Sequence, residues 1–122
     1  MANVLRGQIY VTKFDKKIRD EKGKVTSVQK GFRPALIIQN DTGNANSTTT
    51  IVAPLTSKLD KPALPTHVLA KTDCGLKENS LILLEQVQTI DQYRLRDLIG
   101  TLDEEKMKEV DKALSVSVGL AK

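Results

Sequence analysis

Residues 31–41 read GFRPALIIQND, and the fold follows from where this stretch can sit. Ala35 to Ile38 form an unbroken apolar run, closed off by Gln39, Asn40 and Asp41. A short run of this kind, bounded by turn formers, has the pattern of a buried strand. Pro34 fits as its first residue, where a missing N–H costs least, so the expected strand is Pro34 to Gln39. At ~3.3 Å per residue the two ends of such a strand lie roughly 20 Å apart. Arg33 and the pair Asn40 and Asp41 therefore cannot meet on one small group. Asn40 and Asp41 are expected to shape a turn or a distant contact, and Arg33 is left as a fixed cation at the other end.

Working outward, Arg6 to Lys13 alternates, with Ile9 and Val11 on one face and Tyr10 and Thr12 on the other, which predicts a half-buried strand. Phe14 to Gly31 has no sustained period and is expected as a long basic loop, with a hairpin tip around Glu21 to Lys24. Asn40 to Ser47 (NDTGNANS) reads as a turn cluster in which Gly43 and the asparagines take positive φ. β-branched residues make Thr49 to Ala53 a strand that Pro54 interrupts. SKLDKPALP is then a loop, followed by short strands at Thr66 to Ala70 and Ser80 to Thr89. Asp91 to Leu95 is expected as a helical turn capped by Asp91, and Arg96 to Thr101 as a strand. Thr101 and Glu104 have capping-box spacing, and Met107, Val110, Leu114 and Val118 form an apolar stripe at helical period. These elements predict a mainly β (α+β) fold: a small, curled, barrel-like antiparallel sheet with one C-terminal amphipathic helix packed across it.

The 122 residues suit one domain spanning 1–122, and no run approaches the ~18 to 20 apolar residues of a membrane span. The start, MANVLRGQIYV, lacks a secretory signal, so a cytoplasmic location is expected. The single cysteine, Cys74, agrees with a reducing compartment. The net charge is +4, and its distribution matters more than its size. Between Phe14 and Phe32, six bases (Lys16, Lys17, Arg19, Lys22, Lys24, Lys30) stand against three acids, whereas Asp103 to Val116 carries five acids and three bases. A basic segment of this kind is either a solvated loop or a surface for anions.

Common catalytic signatures are missing. There is no glycine-rich phosphate loop, GxSxG elbow, HExxH or paired CxxC, and a single histidine, His67, cannot anchor a typical zinc site. With only Tyr10, Phe14, Phe32 and Tyr93 as aromatics, a broad base-stacking platform is not expected. Phe14 and Phe32 bracket the basic segment, and anchoring its two ends in the core is their expected job. Glu85, near the end of an apolar strand, is the most interesting acid, with a structural carboxylate as the equal alternative.

The ordered series RGQIYV, GFRPALIIQND, TTTIVAPLT, LPTHV, NSLILLEQVQTID, RLRDLIG and LDEEKMKEVDKALSVSVGL resembles the MazF/PemK family of toxin endoribonucleases, especially its members from Gram-positive bacteria. The resemblance runs from about Arg6 to Leu120, and departs from the family in a longer, more lysine-rich segment after the first strand. It implies an SH3-like antiparallel barrel of the CcdB/MazF type, assembled as a homodimer. It also implies metal-independent, sequence-specific cleavage of single-stranded RNA, usually messenger RNA, without a cofactor, and neutralisation by a MazE-type antitoxin whose acidic tail covers the RNA groove.

In that family the arginine of G-x-R-P and the threonine closing A-x-x-T are central to catalysis, which implies these roles for Arg33 and Thr56. Arginine suits charge stabilisation at a phosphate because it stays protonated, and for the same reason it makes a poor base. The base is unassigned; water or a substrate group can serve. Expected products are a 2′,3′-cyclic phosphate, or the 3′-phosphate derived from it, and a 5′-hydroxyl. The candidate RNA contacts are Lys16, Lys17, Lys30, Gln39, Ser57, Lys58, His67, Ser80, Glu85 and Gln86. Amides and carboxylates at strand ends can read base edges, and structural hydrogen bonding is the alternative for each. The competing class is a non-enzymatic, gyrase-binding toxin like CcdB, on the same barrel.

Overall fold

The computed structural model describes residues 3–19, 25–59 and 64–122, with the backbone alone described at 15–19 and 25–30. The chain runs through β1 (Gln8–Arg19), β2 (Val25–Ile37), α1 (Asp41–Asn46), β3 (Thr49–Thr56), β4 (His67–Ala70), β5 (Ser80–Leu83), β6 (Gln88–Asp91), β7 (Leu95–Thr101) and α2 (Glu104–Ser117). The strands form one seven-stranded antiparallel sheet in the order β4-β5-β3-β2-β1-β7, with β6 also paired to β3. The expected mainly β architecture with a C-terminal helix is what the chain forms.

ALII is continuously apolar because both faces of β2 are covered. Leu36 packs with Ile9, Ala53, Leu55, Val110 and Ala113, while Ala35 and Ile37 pack with Tyr10, Phe14, Val52 and Ile90. A strand buried on both sides loses the polar alternation of a half-exposed one. The first cluster lies under α2, which supplies Val110 and Ala113. At roughly 1.5–3 kcal/mol for each large aliphatic side chain removed from water, these two clusters are the main driving force for the curl.

Several sequence expectations give way here. Phe14 to Gly31 is not a loop across its described residues: β1 and β2 stay paired antiparallel, in register from Ile9 opposite Leu36 to Ile18 opposite Ser27, with a register shift before Arg19 opposite Val25. The charges in this segment mask its strand period, and cross-strand pairing supplies the order that local sequence does not. The expected tip at Glu21 to Lys24 lies outside the described residues. Pro34 is consequently mid-strand, opposite Val11. Pro54 also stays within β3, opposite Ala35.

NDTGNANS folds as a short helix rather than a turn cluster. Asn40 caps it by accepting from the Gly43 amide at 2.7 Å, and Gly43 has no positive φ. Ser80 to Thr89 is two strands, β5 and β6, separated by a 3₁₀ turn at Leu84–Gln86. A 3₁₀ turn does form at Gln92–Arg94, but the Asp91 side chain makes no cap bond to it. The cap of α2 is Asp103, which accepts from the Lys106 amide at 2.8 Å, so Thr101 is not the capping residue. Val118 leaves the expected apolar stripe, lying past the end of α2 and more than half exposed.

The two ends of the strand order meet without a hydrogen-bonded ladder. A 3₁₀ turn at Thr72–Cys74, between β4 and β5, presses onto β7 so closely that a Cβ at Gly100 would overlap the Cys74 carbonyl oxygen. One at Gly75, whose φ is +104°, would overlap that of Ile99. Glycine at both positions permits this backbone-on-backbone seam, which sets one wall of the site.

Candidate functional site

The site lies where β2 and β3 part. Their ladder is paired from Ile37 opposite Val52 to Ala35 opposite Pro54. Beyond it, β2 stays with β1, Arg33 standing opposite Thr12, while β3 turns to β5, Thr56 standing opposite Leu81. Arg33 and Thr56 thus flank the mouth of a fork. The Arg33 guanidinium bridges it by donating through Nη2 to the Leu55 carbonyl at 3.3 Å. The Thr56 hydroxyl oxygen accepts from the Lys58 amide at 3.2 Å, which orders the chain after β3 and leaves the hydroxyl its own proton to donate.

A groove of about 1060 Å³ opens over this fork, with Arg33, Thr56, Ser57, Lys58, Ser80 and Gln86 among its lining residues. Its far wall is Gly75 to Glu78 together with Leu98 and Ile99, the two sides of the glycine seam. The Ser80 hydroxyl donates to the Glu78 carbonyl at 3.0 Å and holds that wall in place. Three cations, Arg33, Lys58 and Lys77, face one acid, Glu78, so the lining suits an anion. A planar guanidinium next to a hydroxyl donor can hold two oxygens of one phosphate.

The other sequence-derived candidates fall elsewhere. Gln39 donates to the Asn44 side chain at 3.0 Å and to the Thr49 carbonyl at 3.2 Å, and Thr50 joins the same network on Asn44, which is almost fully buried. This network consumes the amide at the tail of the ALII strand, so Gln39 is structural. His67 and Glu85 pair with each other, Nε2 to Oε2 at 3.0 Å, and the Thr66 hydroxyl also donates to Glu85. Neither lines the groove.

The His67 side chain is only 4% exposed, and its Nδ1 has no partner among the described residues. Burial pushes the Glu85 carboxyl up. Hydrogen bonds from His67, the main chain and Thr66, with the His67 charge, outweigh burial, and the group sits below its ordinary value. The side chains of Lys16, Lys17 and Lys30, on the β1–β2 hairpin, lie outside those described.

The sequence reading missed Phe32, Lys77, Glu78 and Leu98 as groove residues. Phe32 is 59% exposed and so does not anchor the hairpin, whereas Phe14 is buried as expected. The signal for Phe32 is its register opposite the exposed Lys13, which is legible only once the hairpin is known to be paired. No signal marks Lys77 and Glu78, because the glycine seam that carries them to the groove is a tertiary contact.

Residues 5–118 match the family described as PemK-like, MazF-like toxin of type II toxin-antitoxin system. Endoribonuclease MazF of Staphylococcus saprophyticus is 48% identical over 95 residues, covering 77% of this chain and 79% of that protein. MazF of Deinococcus radiodurans shares the fold with a TM-score of 0.77 at 19% identity, over 98% of this chain and 99% of that one. A mycobacterial endoribonuclease, solved in complex with its cognate antitoxin, does so with a TM-score of 0.76 at 23% identity, over 98% of each chain. The paired fork, its cationic groove and the match along nearly the whole sequence lead to one conclusion: the chain belongs to the PemK/MazF toxin family of type II toxin–antitoxin systems.

Proposed function

We propose that this protein is a sequence-specific endoribonuclease that cuts single-stranded RNA, messenger RNA above all, without a metal ion or other cofactor. What carries the reading is the juxtaposition of Arg33 and Thr56, distant in sequence and brought to one fork under one cationic groove. RNA supplies its own nucleophile, the 2′-hydroxyl, so the protein has mainly to align that oxygen with phosphorus and stabilise the charge that develops.

Arg33 stabilises the charge developing on the non-bridging phosphoryl oxygens, and the departing 5′-oxygen takes its proton from water. Thr56 donates its hydroxyl to a phosphoryl oxygen or fixes the 2′-hydroxyl. The 2′-oxygen forms the new bond to phosphorus, the bond to the 5′-oxygen breaks, and the 2′-hydroxyl proton passes to water or to a substrate group. The products are a 2′,3′-cyclic phosphate, opened by water to a 3′-phosphate, and a 5′-hydroxyl. Ser57, Lys58, Ser80 and Gln86 contact RNA from the groove, and Lys16, Lys17 and Lys30 guide the strand along the hairpin.

The 122 residues act as one toxin domain, in the cytoplasm, as a homodimer. Among the described residues, no helix is long and apolar enough to cross a membrane. The partner is a MazE-type antitoxin, in keeping with the antitoxin complex solved for the mycobacterial relative. An acidic disordered segment folding along the groove would compete with RNA for the same cations. The family match favours this reading over the gyrase-binding alternative.

Mapping of cut ends on a long single-stranded RNA incubated with the protein in EDTA tests the reading. Cuts at a recurring short motif, leaving 5′-hydroxyl ends, are expected. Intact RNA would overturn the proposal.

A further inference from the structure

The groove has an apolar side that the chemistry above does not use. Phe32 is 59% exposed, the most exposed phenylalanine of the chain, and Leu98, on the far wall of the same groove, is 50% exposed. Phe32 and Arg33 are consecutive on β2 and both line the groove. The ring is set among cations: Arg33 follows it, exposed Lys13 stands opposite it on β1, and Lys58 and Lys77 line the same groove.

A second copy of this chain would bring the same cations against these, so like charge opposes a self-contact here. A planar, uncharged group carried on an anionic backbone fits both features, and a nucleobase beside a phosphodiester is that group. Because Phe32 and Arg33 both line this groove, a nucleotide whose phosphate is held at Arg33 can turn its base toward the Phe32 ring.

We propose that Phe32 is a stacking platform for the base next to the scissile phosphate, a substrate contact that places the RNA strand in register with Arg33 and Thr56. This rests on the ribonuclease reading. Stacking depends on the ring face and not on hydrogen-bonding edges, so Phe32 contributes affinity and register while polar groove residues discriminate among bases.

The test uses an RNA carrying a mapped cut site made uncleavable by a 2′-deoxy substitution, with 2-aminopurine flanking that site. Wild type is expected to quench the 2-aminopurine. Phe32→Ala and Phe32→Leu are expected to lose the quench and to weaken binding roughly 5- to 150-fold, the range of one base stack. Phe32→Trp is expected to retain both. The slope of affinity against salt should be unchanged in all three, since no phosphate contact is removed.

The ring is mostly exposed, so the variants should melt as wild type does, and the melting curve verifies this. Equal RNA affinity of wild type and Phe32→Ala, or Leu serving as well as Trp, would overturn the proposal. So would unchanged RNA binding accompanied by a shift in sedimentation, which would place the ring in a protein contact. If wild type cuts RNA and Phe32→Ala binds it unchanged, stacking alone fails. If wild type leaves RNA intact, the ribonuclease reading fails with it.

Discussion

Arg33 Nη2 lies 3.3 Å from the carbonyl oxygen of Leu55, the residue immediately before Thr56. The bond is longer than the usual N–H···O range and occupies one of five guanidinium donors. It tethers the cation at the fork without demanding much of it. Arg33→Ala should therefore cost stability only about 1 kcal/mol, while cleavage falls at least ~100-fold through loss of charge stabilisation. Arg33→Lys should recover only part of this, a point charge being unable to hold two oxygens in one plane. Single-turnover cleavage beside a melting curve separates the two effects.

Thr56 offers a sharper contrast. Its oxygen already accepts from the Lys58 amide, so what it can give substrate is a proton. Thr56→Ser should cut within a few-fold of wild type, whereas Thr56→Val, similar in shape, should lose roughly 10- to 100-fold, the range for a hydrogen bond to a charged group. Equal rates for Ser and Val would remove the hydroxyl from the reaction.

The glycine seam predicts a structural lesion with a functional consequence. Gly100→Ala drives a Cβ into the Cys74 carbonyl, and Gly75→Ala adds an unfavourable φ to a similar clash. Backbone cannot yield as a flexible side chain does, so each should destabilise by about 2 kcal/mol or more. Chemical denaturation measures this. Because Lys77 and Glu78 follow directly, any folded Gly75→Ala protein should also bind RNA more weakly.

Glu85 predicts a pH dependence. Its carboxyl titrates below the ordinary 4.5 in the folded protein, burial being outweighed by the bonds and charge of His67 and by the main chain and Thr66. A depressed acid pKa contributes stability above the unfolded pKa and loses it as pH falls through the folded one. The stability advantage of wild type over Glu85→Gln should thus be present at pH 6 and shrink below about pH 4.5. A gap independent of pH would assign the pair to packing alone.

The parts of the fold carried by hydrophobic pattern were legible in sequence. ALII is buried throughout, though β2 ends at Ile37 rather than the expected Gln39, and the Met107, Val110 and Leu114 stripe is a helix whose Val110 reaches the core. Charge defeated the pattern in β1 and β2, where strand order comes from the pairing of the two strands with each other. NDTGNANS became a helix because Asn40 caps the Gly43 amide and the buried Asn44 side chain ties the helix to Gln39 and Thr50, which composition alone does not show. Arg33 and Thr56 were found through family blocks rather than spacing, since the register that brings them together belongs to three strands at once. Gln39, His67 and Glu85 read as contacts because their types suit RNA, and tertiary hydrogen bonds absorb all three.

In the proposed reaction RNA's own 2′-hydroxyl attacks a phosphate held at Arg33. Replacing that one hydroxyl by hydrogen, at the mapped cut site of an otherwise unmodified RNA, tests it most directly when cleavage and binding are measured together in EDTA. Cleavage should be lost while affinity stays within a few-fold of the parent RNA. Continued cutting at the deoxy position would contradict this mechanism.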